Sequence, residues 1–109
     1  MYLIVTRAFP PELGGMQSLM WGLTKEMSKN FMIKVFADYQ ENHKEFDKKE
    51  NFSIERVGGI KFLRKIRKAQ LVNEFLKENK VQGILADHWK SLELIKTDKK
   101  KYCLIHGKE

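Results

Sequence analysis

Only one cysteine, Cys103, occurs in the 109 residues, together with two prolines and seven glycines. A lone cysteine excludes a disulfide framework and any multi-cysteine zinc or iron–sulfur centre, and it suits a reducing compartment. With so little Pro and Gly against 42% hydrophobic and 32% charged residues, fibrous and disordered classes drop out. No apolar stretch approaches the ~20 residues of a membrane-spanning helix. The apolar opening Tyr2-Leu3-Ile4-Val5 is too short for a signal-peptide core and has no basic segment before it. Three chemical fingerprints are also missing. There is no GxGxxG after the first strand, no GxxxxGK[ST] and no GxSxG, so dinucleotide, P-loop and serine-hydrolase readings lack support. The expectation is a single cytoplasmic domain over 1–109 that buries about 65% of its unfolded-chain surface.

What the chain has in plenty is positive charge: 21 Lys and Arg against 14 Asp and Glu, a formal net charge of +7. Blocks such as Arg64-Lys65-Ile66-Arg67-Lys68 and Lys99-Lys100-Lys101 attract nucleic acid, anionic lipid or phosphorylated ligands alike. No helix-turn-helix or aromatic platform accompanies them, so nucleic acid is not expected as a partner, although a basic nucleic-acid-associated α/β protein stays a competing reading. Peripheral contact with an anionic bilayer at the inner face of the membrane remains open.

The pattern of elements is β/α alternation. Tyr2–Thr6 is a continuous apolar run of the kind buried on both faces of a parallel sheet. Phe9-Pro10-Pro11 and Gly14-Gly15 break it. A helix over Met16–Lys29 then places Met16, Leu19, Met20, Leu23 and Met27 on one face, with Trp21, Lys25 and Lys29 opposite. Phe31–Ala37 reads as a second strand, Asp38–Asn51 as an exposed connection, and Phe52–Val57, which alternates, as a strand nearer the edge. A second helix over Lys61–Asn79 turns Phe62, Ile66, Ala69, Val72 and Leu76 inward and Arg64, Arg67 and Lys68 elsewhere. Leu71 and Phe75 fall outside that stripe, so this helix touches apolar partners on two sides or exposes them. Gln82–Ala86, a short helix over Lys90–Lys96, and a fifth strand Tyr102–His106 complete the chain. The fold class is α/β: a Rossmann-like parallel sheet of about five strands with flanking helices.

In such sheets ligands bind beyond the carboxyl ends of the strands. Those ends carry Gly14-Gly15 at a helix N-terminus, whose amides suit an anion, then Asp87-His88, then His106 and Glu109. His106 can donate to a substrate hydroxyl or phosphate. Asp87 and His88 can orient hydroxyl groups or cap the helix that follows. Cys103, His106, His88 and Asp87 match no recognised ligand spacing, and no metal is expected.

The run Leu3-Ile4-Val5-Thr6-Arg7-Ala8-Phe9-Pro10-Pro11-Glu12-Leu13-Gly14-Gly15-Met16-Gln17 resembles the opening of family 4 GT-B glycosyltransferases. Leu23–Val35 and Ile84–Ser91 are similar to that family's first helix leading into its second strand and to its fourth strand with the following turn. Leu104-Ile105-His106-Gly107-Lys108-Glu109 looks like its "HGxE" segment. The resemblance implies a retaining transfer of sugar from a nucleotide-sugar donor, without a cofactor, to a saccharide or lipid-linked acceptor. It implies His106 as the catalytic contact near the reacting centre, Gly14 and Gly15 against phosphate, and Asp87, His88 and Glu109 lining the substrate pocket. The family's donor-side glutamate pair has no counterpart here, so a partial N-terminal, acceptor-side domain of a GT-B fold, inactive alone, is expected. A stand-alone saccharide- or phosphate-binding or partner-docking module is the alternative. The edge beside the fifth strand makes a homodimer or a separate C-terminal half the protein partner to expect.

Overall fold

A computed structural model describes residues 1–104. Its centre is a five-stranded, all-parallel sheet formed by β1 (Tyr2–Thr6), β2 (Ile33–Asp38), β3 (Ser53–Val57), β4 (Gly83–Ala86) and β5 (Lys100–Cys103), in the spatial order β3-β2-β1-β4-β5. The helices are α1 (Gly15–Ser28), α2 (His43–Lys48) and α3 (Lys61–Glu78), with a single 3₁₀ turn at Trp89–Leu92. This is the Rossmann-like α/β architecture, and it follows from the burial pattern of the strands. In β1, Leu3 and Val5 pack to one side with Phe36, Ala69, Val72 and Ile84, while Ile4 packs to the other with Met20, Val35 and Ala37. Side chains alternate across a strand, so a run that is buried throughout needs cover on both faces. α3 gives that cover on the Leu3–Val5 face and α1 on the Ile4 face.

β3 is an edge strand, as its alternation predicts. Several local expectations need correction. The connection after β2 is not wholly exposed: it holds α2, whose Phe46 meets Phe9 and Trp21 edge-on at 6.1 and 5.6 Å. Trp21 therefore faces an apolar cluster, and Leu19 is the stripe residue left exposed. In α3, Phe62 is exposed and Lys68 is buried, the reverse of the wheel's assignment. Leu71 and Phe75 do find apolar partners, in the cluster around Val72. The helix expected over Lys90–Lys96 is only the 3₁₀ turn at Trp89–Leu92, and β5 begins two residues before Tyr102, at Lys100. No helix among the described residues is long and apolar enough to cross a membrane.

Candidate functional site

β2 and β3 lie on one side of β1, and β4 and β5 on the other. The loops leaving β1 and β4 therefore diverge and open a crevice at the carboxyl edge of the sheet. Two adjoining cavities occupy that edge. One, about 410 Å³, is bordered by Arg7 and Ala8 after β1, Met16 and Gln17 of α1, Tyr39 after β2, and Asp87 and His88 after β4. The other, about 340 Å³, runs under α3 from Val5 and Arg7 past Lys68 and Ala69 to Lys90 and Ser91. Arg7, Asp38, Lys61 and Arg64 border both.

Asp87 is buried, and both of its oxygens are engaged. Oδ2 accepts from the Arg7 amide at 3.1 Å, and Oδ1 accepts from Ser91 Oγ at 2.8 Å. It thus ties the β1 loop to the turn after β4. His88 is half-buried and caps that turn, its Nδ1 accepting from the Lys90 amide at 3.2 Å. A neutral ring whose Nδ1 accepts carries its proton on Nε2, leaving that N–H available to a ligand.

Gly14 and Gly15 are exposed at the start of α1, directly before Met16 and Gln17 on the cavity border. Gly14 makes no side-chain cap, and Gln17 Nε2 donates to Glu12 Oε1 at 2.8 Å across the same turn. Of the residues expected at the site, the structure brings Gly14, Gly15, Asp87 and His88 to one edge. His106 and Glu109 lie outside the described residues.

An ion cluster that the sequence reading did not find sits between the two cavities. Asp38, at the end of β2, accepts from Lys68 Nζ through Oδ1 and pairs with Arg64 Nε through Oδ2 at 3.1 Å. Lys68 Nζ also donates to the Thr6 carbonyl at 3.0 Å. Burial pushes the Lys68 ammonium below the ordinary lysine range, and the facing Asp38 carboxylate opposes that shift. The signal was present but ambiguous: Lys68 stands four residues before the buried Val72, about 40° round the wheel, so a small rotation moves it to the buried face.

The FPP loop is fixed from the opposite side by Arg56. Its guanidinium donates to the Pro10 carbonyl at 2.6 Å, to the Asp38 carbonyl at 3.2 Å and to both carboxylate oxygens of Asp47, at 2.7 and 3.2 Å. The Arg56 side chain is 3% exposed. Among the described residues no group of three or more His, Cys, Asp or Glu side chains is placed to hold a metal ion. No protein-family model and no curated protein sequence matches this chain.

Proposed function

We propose that this chain forms the acceptor-side domain of a retaining glycosyltransferase of the GT-B kind, which transfers sugar from a nucleotide-sugar donor to a saccharide or lipid-linked acceptor. The observation that carries the reading is the shared border of the 410 Å³ cavity. It brings the α1 N-terminus after the FPP loop and the Asp87–His88 turn to one crevice at the strand-order switch. Those are two of the three segments whose residues resemble the family within the described part of the chain, the third being Leu23–Val35. Helix amides and the Arg7 and Lys61 cations suit a phosphate-bearing ligand. His88 Nε2–H suits a sugar hydroxyl. Asp87 acts as a positioning residue, because its oxygens hold Arg7 and Ser91.

The test is an isotope-labelled amide spectrum titrated with glucose 1-phosphate and, separately, with a nucleoside diphosphate. The sugar phosphate is expected to move the amides of Arg7, Gly14, Gly15 and His88. Binding of the nucleoside diphosphate alone at that edge would make it a donor-type nucleotide site and end the acceptor-side reading. The chain by itself is expected to release no nucleoside diphosphate from a nucleotide-sugar, as measured by a coupled phosphate assay.

A further inference from the structure

The 340 Å³ cavity differs in character from its neighbour. Six cationic side chains border it, Arg7, Lys61, Arg64, Lys65, Lys68 and Lys90, against the single carboxylate of Asp38. Asp38 is committed to Lys68 and Arg64, and Glu93 pairs with Lys65. Among the described residues Arg7, Lys61 and Lys90 make no ion pair, so the cavity keeps a net positive field where water is partly displaced. Apart from Ser91, its remaining wall is apolar, formed by Val5, Phe62 and Ala69. A bare inorganic anion satisfies the cations and leaves that wall wetted.

Beside the mouth, the start of α3 presents large apolar side chains to solvent. Ile60 is 69% exposed, Phe62 71% and Leu63 56%. Three large hydrophobes fall within four residues, and one of them, Phe62, lines the cavity together with Lys61 and Arg64. Clustered exposure of this kind marks a binding surface, whereas scattered single hydrophobes do not.

We propose that this cavity binds an amphiphilic phosphate: a phosphate ester with a hydrocarbon chain, its head held by Lys61, Arg7 and Lys90 and its chain laid along Ile60, Phe62 and Leu63. The pairing of an anion site with an apolar track selects this ligand over a free anion, which uses only the first, and over a neutral lipid, which uses only the second. The inference shares Arg7 and Lys61 with the proposed acceptor site but does not require that sugar be transferred.

The experiment compares inorganic phosphate with hexyl phosphate by titration of the labelled chain. Each methylene withdrawn from water multiplies affinity by about fourfold, so hexyl phosphate is expected to bind at least about tenfold tighter. The amides of Phe62, Leu63 and Ala69 should move with it. Phe62→Ser combined with Leu63→Ser, both at exposed positions that the core does not need, should remove the advantage of the alkyl chain and leave the inorganic phosphate affinity unchanged. Lys61→Gln should weaken both ligands about threefold or more. Vesicles of phosphatidylcholine with and without phosphatidic acid then identify the source. Sedimentation with the phosphatidic acid vesicles, lost in the double serine variant, supports a bilayer lipid. Hexyl phosphate binding without sedimentation supports a soluble ester. Equal affinity for the two phosphates, or shifts confined to other parts of the chain, overturns the proposal. If that happens while glucose 1-phosphate still moves Gly14 and His88, the acceptor-side reading survives it.

Discussion

Lys68 is a cation withdrawn from water and answered by one carboxylate and one carbonyl. Because burial lowers its pKa from the ordinary 10.5, there is a window below 10.5 in which the unfolded chain still holds a proton that the folded chain has released. Where the unfolded state binds more protons, stability rises with pH. Lys68 therefore contributes increasing stability as pH climbs through that window, and a constant amount below it. Urea unfolding of the wild type and of Lys68→Met across the same alkaline range should show wild-type stability rising relative to that of the variant as pH increases; a relative fall contradicts the burial argument. Arg56 poses a different problem, since it satisfies Asp47 and two carbonyls at once. Among the described residues, Arg56→Ala leaves Asp47 with only the His43 Nδ1 contact at 3.0 Å from a side chain, and it should lower unfolding stability by about 3 kcal/mol. The same titration by denaturant, followed by circular dichroism, measures this.

At the level of elements, Gly83 is a point of close approach within the sheet. A Cβ there would stand 3.0 Å from the Tyr2 ring and 3.3 Å from the Lys100 carbonyl, between the start of β1 and the start of β5. Gly83→Ala should cost about 1–2 kcal/mol by overpacking, and the thermal unfolding midpoint should fall accordingly. The strands nearest this point show what a sequence can convey. β1 is legible to the residue because burial on both faces leaves no polar position to confuse its limits. β5 reads two residues late because Lys100 and Lys101 are exposed on an edge, where charge hides the strand. α2 escapes notice since its six residues supply Phe46 as their only large apolar contact, too little for a periodic signal. The helical wheel sets Trp21 opposite the core stripe because it allows for one packing surface, whereas α1 packs against both the sheet and Phe46. The rim of the site follows from strand ends and is legible for Asp87 and His88. The Asp38–Arg64–Lys68 cluster is not, because β2 and α3 meet there only once the chain has folded.

Across the whole molecule, the sheet has β3 at one edge and β5 at the other among the described residues. Lysines on an edge discourage pairing with a second chain, since each approach would bury a charge. Lys100→Val should therefore raise the apparent mass measured by light scattering at high protein concentration, with little change at low concentration. The two tryptophans divide the protein in a way that lends itself to measurement. Trp21 lies among α1 and α2, its ring edge-on to Phe46 and covered by Lys25 at 4.5 Å, while Trp89 is half in solvent next to Lys90 on the cavity wall. Iodide, drawn to the basic surface, will quench the emission of Trp89 well before that of Trp21. The unlabelled chain thus carries two separable optical signals, one following the integrity of its helical cover and the other the surroundings of the turn whose neighbouring residues border its crevice.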